Sequence, residues 1–166
     1  SYTDMINTTE NETGALISIR DACNNAFLIC HYIAIKKNVR FKEINSNKET
    51  TVWCGKIALF QVLVNLIKNS CDALENKQDS WIEISWEDLN AEQVALKVTD
   101  SGAGIPNEIQ EKIFSPLFTT KAPRKGTGLG LNLCKKLLEK FHGTLVLDKD
   151  SKNTCFVITL NKNKQK

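Results

Sequence analysis

QVLVNLIKNSCDAL, residues 61–74, separates into an apolar and a polar arc when wound as a helix. At about 100° per residue, Asn65, Asn69 and Asp72 fall within roughly 60° of one another, with Gln61 and Lys68 beside them. Val62, Leu63, Leu66, Ile67, Cys71 and Leu74 fill the opposite side. A surface helix ordinarily wets its polar face with lysine and glutamate, whose long charged chains are solvated at little cost. This face instead carries short amides and one carboxylate. Amide oxygens are hard ligands suited to Mg²⁺ and to the neighbourhood of phosphate, so the helix is expected to wall a binding site.

Composition sets the outer limits. The chain has 166 residues, 42% hydrophobic and 25% charged, which suits one globular domain with a substantial core. Its net charge of +3 is mildly basic, and Lys162, Lys164 and Lys166 of the terminal NKNKQK supply part of it. That run, 162–166, reads as a solvated tail and not as a nucleic-acid surface. No apolar run approaches the roughly 18 residues of a membrane span, and no secretory signal opens the chain. The piece is expected to be soluble and cytoplasmic. It begins at Ser1 without a methionine, so it reads as a fragment whose longer protein is free to carry a membrane segment elsewhere. Cys23, Cys30, Cys54, Cys71, Cys134 and Cys155 form no CxxC pair and mostly take positions where a small apolar side chain would serve. Reduced core cysteines are expected.

Residues 1–14 are polar and uneven in pattern, and read as a linker or the end of a preceding helical domain; the domain proper is expected over 15–161. From Leu16 to Lys37, Ile19, Ala22, Ala26, Ile29 and Ile33 recur at helical spacing. His31 lies in this helix without a partner carboxylate at helical spacing. Val39–Ile44 and Thr51–Cys54 read as two short strands forming a hairpin that feeds the amide-bearing helix. After it, Trp81–Trp86 and Gln93–Val98 alternate as a second antiparallel pair.

The second of these strands runs into Asp100, Ser101, Gly102, Ala103, Gly104, Ile105 and Pro106. Two glycines spaced by one residue let the backbone turn sharply and come close to a flat ligand. A buried carboxylate at Asp100 needs a donor, and the exocyclic amine of adenine is one; an ordinary Asx turn is the plainer alternative. Further on, IFSPLFTTK (113–121) places Phe114 and Phe118 four residues apart to pin a loop, and Lys121, Arg124 and Lys125 form a cationic patch suited to a phosphate lid. Gly126, Thr127, Gly128, Leu129 and Gly130 then lead into a helix over 131–141. A glycine-rich entry to a helix offers unpaired N–H groups and the positive end of the macrodipole to an anion. The spacing matches neither the Rossmann fingerprint nor a P-loop. Thr144–Leu147 and Thr154–Leu160 close the chain as another strand pair.

In that order, Asn65-xxx-Asn69-xx-Asp72-Ala73, Asp100-x-Gly-x-Gly104, the phenylalanine segment and Gly126-Thr-Gly-Leu-Gly-Leu131 resemble the four boxes of the GHKL (Bergerat-fold) ATP-binding superfamily. They are most similar to the catalytic ATP-binding domain of sensor histidine kinases, over roughly residues 15–160. The resemblance implies an α/β two-layer sandwich: a mixed, largely antiparallel sheet of five to six strands on three helices, with ATP between the amide helix and the lid.

It also implies roles. Asn69 would coordinate Mg²⁺, assisted near the phosphates by Asn65. Asp100 would bind the adenine amine, Gly102 and Gly104 would make room for the base, and Ile105 would pack on it. Gly126, Thr127, Gly128, Leu129 and Gly130 would cradle the triphosphate. Thr154 matches a hydroxyl that helps hold an adenine-bound water, with an ordinary strand threonine as the alternative. Lys121, Arg124 or Lys125 would neutralise the γ-phosphate. Asp72 stands where some members carry lysine and is not expected to touch phosphate.

Hydrolytic members of the superfamily carry glutamate where Asn65 stands, because an attacking water must lose a proton. A neutral imidazole already has a lone pair, so Asn65 favours transfer to histidine over hydrolysis. By resemblance the acceptor sits in a helical HE or HD motif. His31 precedes Tyr32 and His142 precedes Gly143, so neither matches, and the acceptor is expected on a dimerisation domain outside this chain. A response regulator or receiver domain is the expected partner, with a homodimeric whole protein and a monomeric fragment. A regulatory nucleotide-binding module without transfer activity, or a GHKL serine kinase or ATPase, remain open alternatives.

Overall fold

The computed structural model describes residues 9–44, 46, 48–116 and 130–166. Their regular elements are β1 (Ala15–Ser18), α1 (Ile19–Lys36), β2 (Val39–Phe41), β3 (Thr51–Cys54), α2 (Lys56–Ala73), β4 (Ser80–Asp88), β5 (Gln93–Asp100), α3 (Leu131–Glu139), β6 (Thr144–Leu147) and β7 (Thr154–Asn161). The strands join one sheet in the order β1-β3-β7-β5-β4-β2, and β6 shares an edge of β7 with β3. Among the described residues only β2 against β4 is parallel. The expected class, a mixed and largely antiparallel sheet layered on three helices, is the one found, with β1 as an added strand.

Alternation explains the two layers. Ile82, Ile84 and Trp86 of β4, Val94, Leu96 and Val98 of β5, and Ile158 and Leu160 of β7 are all buried, while the intervening Glu83, Ser85 and Lys97 are half-exposed. A side-chain period of two sends one set toward the helices and the other to the opposite face. Leu59, Leu63, Leu66 and Ile67 of α2 meet that inner set, all at most 1% exposed. The six cysteines are buried and free, as their apolar settings suggest. Among the described residues no helix is long and apolar enough to cross a membrane.

Three local expectations change. Residues 15–18 form a strand and not the first turn of the helix, pairing from Ala15↔Cys54 to Ser18↔Thr51. Ser18 then caps α1 by accepting the Asp21 N–H at 3.2 Å, and this cap fixes where helix replaces strand. Strands β2 and β3 make no hairpin. A three-residue strand gains more by adding to the long β4, in register from Val39↔Ser80 to Phe41↔Ile82, where Phe41 stacks on Phe27 with centroids 4.2 Å apart. Finally, Ile29 is 58% exposed with Leu28, Tyr32 and Ile35, because α1 approaches α2 through its smaller residues Ala22, Cys23, Ala26, Cys30 and Ala34.

Helix α2 begins five residues before the apolar periodicity suggests. Its own N-cap, Gly55, has no side chain to offer, and the first free N–H groups are met from far upstream. Glu12 accepts from Ile57 N at 2.7 Å and Ala58 N at 2.9 Å, a carboxylate at the positive end of the helix. The Lys140 ammonium, just beyond α3, donates to the carbonyls of Thr9 and Glu10 and ties the same segment down. Replacing Glu12 by alanine should lower stability by about 1–2 kcal/mol. A urea midpoint unchanged from wild type would show that α2 needs no such cap.

Candidate functional site

Strand β5 ends on Asp100, which lies opposite Ile82 of β4 and Thr154 of β7. The inner side of the sheet leaves this carboxylate only 2% exposed. Two donors hold it: Gly102 N at 2.7 Å on Oδ1, and the hydroxyl of Ser70 from α2. Burial raises the Asp100 pKa above the ordinary aspartate value, and the Ser70 and Gly102 bonds to the ionised form work against that rise.

The loop after Asp100 is braced by the neighbouring strand. Gly102 O accepts from Thr154 N at 3.2 Å and from Asn153 Nδ2 at 3.2 Å, while Gly104 N donates to the Thr154 hydroxyl at 3.2 Å. A Cβ at Gly102 would lie 2.7 Å from Asp100 Oδ1 and 3.1 Å from Thr154 Oγ1, so only hydrogen fits there. Gly104 has φ of +95°, and a Cβ added to it would meet nothing within 4 Å. The loop therefore presents bare backbone beside a buried acid. Ile105 packs against the core, and its carbonyl is held by Gln110 Nε2 at 2.8 Å.

Along α2, Asn65 donates through Nδ2 to the Cys134 sulfur of α3 at 3.0 Å. Asn69 follows one turn later and is half-buried, one residue before the Ser70 that bonds Asp100. Asp72 lies 3.8 Å from Lys37, which also pairs with Glu75 at 2.9 Å, so its charge is drawn toward the end of α1. Gly130 caps α3 through its carbonyl, which accepts Cys134 N at 3.2 Å. Phe114 meets Phe156 edge-on, centroids 6.4 Å apart. Phe118, Lys121, Arg124, Lys125, Gly126, Thr127, Gly128 and Leu129 lie outside the described residues. His31 is exposed on α1, and His142 forms a left-handed turn, φ +60°, before Gly143.

The structure thus brings Asp100, Gly102, Gly104 and Thr154 into one hydrogen-bonded cluster and hangs Asn65 and Asn69 on the helix that touches it. Ser70, Cys134 and Asn153 were not legible as members. Ser70 and Cys134 look in sequence like small core residues, and only a buried acid and a facing amide give them a polar task.

The residues suit a purine nucleotide. A buried acceptor, an adjoining glycine surface open to a flat ring and a helix entry without a side-chain cap are each matched to one part of it. No group of three or more His, Cys, Asp or Glu able to hold a metal ion occurs among the described residues. Amide oxygens of Asn65 and Asn69 would leave most positions on a cation to phosphate and water, the habit of Mg²⁺ and not of a closed metal centre.

Comparison with known proteins gives the same answer. The profile of the histidine kinase-, DNA gyrase B- and HSP90-like ATPases matches residues 54–164. The chain belongs to this family. Within it, the solved catalytic domain of histidine kinase ThkA superimposes with a TM-score of 0.77 at 31% identity, covering 90% of this chain and 95% of that one. The chain is thus a histidine-kinase-type ATP-binding domain. Among curated proteins it is 35% identical over 108 residues to the C4-dicarboxylate transport sensor protein DctB of Rhizobium meliloti, 65% of this chain and 17% of that one. It is 29% identical over 129 residues to the signal transduction histidine-protein kinase AtoS of Escherichia coli, 78% of this chain and 21% of the relative. The chain therefore spans about a fifth or less of these two relatives.

The raised Asp100 pKa gives this ATP-binding domain a pH signature. The folded state holds the Asp100 proton more tightly than the unfolded chain does. Its contribution is complete below the ordinary aspartate range and is lost as pH rises through the raised value. Asp100→Asn should remove that loss, so the nucleotide-free variant at pH 7 melts no lower than wild type and its midpoint depends less on pH. A lower midpoint with an unchanged pH slope would contradict the burial argument.

Proposed function

We propose that this domain binds Mg-ATP and transfers the γ-phosphoryl group to a histidine on a helical dimerisation domain elsewhere in the same protein. Asp100 receives the adenine amine, Gly102 and Gly104 admit the base, and Ile105 packs on it. Asn69 coordinates Mg²⁺, Asn65 assists beside the phosphates, and Thr154, whose hydroxyl takes the Gly104 N–H, helps hold an adenine-bound water. By resemblance, Gly126, Thr127, Gly128, Leu129 and Gly130 are assigned to the triphosphate, and one of Lys121, Arg124 and Lys125 to the γ-phosphate. Residues 1–14 lead from the dimerisation domain into the domain at 15–161.

One observation carries the transfer to histidine. On the amide face of α2 the only carboxylate is Asp72, and Lys37 draws it toward α1. Asn65, pinned to a thiol, is no base. Water or a serine hydroxyl must lose a proton as it attacks, whereas a neutral imidazole attacks with a lone pair it already has, as the bond from the γ-phosphorus to ADP breaks. Positioning and charge neutralisation then carry the catalysis. ThkA has been solved in complex with the response regulator TrrA, at 27% identity and a TM-score of 0.72 to this chain. By analogy the phosphohistidine made here passes to a response regulator, in a homodimeric protein whose ATP-binding domain faces the cytoplasm.

Incubating the full-length protein with labelled Mg-ATP should give acid-labile, alkali-stable phosphate. An acid-stable product would mean a serine-type kinase, and nucleotide binding without phosphorylation would mean a regulatory module. In calorimetry on the present chain, Asp100→Asn should weaken nucleotide binding about tenfold or more, the loss of a charged acceptor from a buried bond. Asn69→Ala should reduce the gain in affinity that Mg²⁺ confers and leave metal-free binding nearly intact. Equal losses with and without magnesium would remove Asn69 from the metal site.

A further inference from the structure

Asn65 is useful to a nucleotide only if its amide points the right way. The two ends of that group are nearly equal in size and opposite in polarity: the nitrogen donates, and only the oxygen can face a cation. A helix side chain at a solvent-filled cleft would turn freely between the two. Asn65 does not have that freedom, because its Nδ2 rests 3.0 Å from the sulfur of Cys134.

Cys134 is suited to this. It is 0% exposed, in the first turn of α3, and its own N–H closes on Gly130 O at 3.2 Å. Burial pushes its thiol up to about 12, so the sulfur stays a neutral thiol. The sulfur accepts the amide N–H, and with Nδ2 held there the oxygen is the end turned away from Cys134. The contact also joins the two helices of the proposed site, since Cys134 lies in the first turn of α3 and Asn65 sits on the helix that carries Asn69.

We infer that Cys134 is a positioning residue: its thiol fixes the flip of the Asn65 amide, so that Oδ1 faces the Mg-triphosphate, and makes that orientation depend on the seating of α3. This rests on the nucleotide role of Asn65 proposed above. Among the described residues Cys155 also accepts a side-chain bond, from Thr99 at 3.3 Å, but Thr99 is not a residue assigned to the nucleotide, whereas Asn65 is.

The test is a double-mutant cycle on the present chain, read by calorimetry with Mg-ATP. Cys134→Ala should weaken Mg-ATP binding about five- to tenfold in the wild-type background, the span of one hydrogen bond, and should cost nothing further in Asn65→Ala. If the alanine cavity lowers stability too far, Cys134→Val fills the space without an acceptor. A loss of equal size in both backgrounds would make Cys134 a structural residue only, and no loss in wild type would overturn the inference outright. A second measurement needs no ligand. In the nucleotide-free domain the side-chain NH₂ resonances of Asn65 should shift and exchange faster in the Cys134 variant, and unchanged resonances would refute the contact. Should wild type itself give no heat with Mg-ATP, the nucleotide reading fails, while the resonance experiment still reports on the amide.

Discussion

A single carboxylate, placed where the middle of the sheet meets the amide helix, ties this domain together. Asp100 is the last residue of β5, flanked in register by β4 and β7, and it takes hydrogen bonds from α2 and from the loop it begins. Burying an ionised group costs several kcal/mol unless donors offset it. Ser70 and Gly102 do so only in part, as the upward direction of the Asp100 pKa shows.

The surrounding geometry follows from this acid. Gly102 must lack a side chain because the carboxylate and Thr154 already occupy that space, and Thr154 must be threonine or serine-like to receive the Gly104 N–H. Ser70 ties α2 to the end of β5 through Asp100, on the helix that also carries Asn65 and Asn69. Glu12 and Lys140 act at a distance, holding the segment before β1 against the start of α2 and the end of α3. The helices that bound the site are therefore clamped at their far ends as well as at the site.

Charge is distributed to match. The described part of the amide face holds no free carboxylate, because Lys37 engages Asp72 and Glu75 at the end of α1. These pairs draw the negative charge at the C-terminal end of α2 toward Lys37.

Periodicity and box order were enough for the family. The two-residue alternation of β4, β5 and β7, the helical stripe of α2 and the glycines after Asp100 are local patterns, fixed by backbone geometry and visible in a single chain. The partner of each polar atom was not visible. Residues 15–18 look helical until β3 is there to pair with them, and β2 looks like half a hairpin until β4 offers a longer edge. Ser70 and Cys134 pass for core fillers until α2 and α3 face Asp100 and Asn65. Sequence alone determined which chemistry the chain can hold, since residue type and short spacing settle that. Tertiary structure decided which end of each polar group is spent on the protein and which is left for a ligand, because hydrogen-bond partners here stand up to 131 residues apart and meet only when the layers pack.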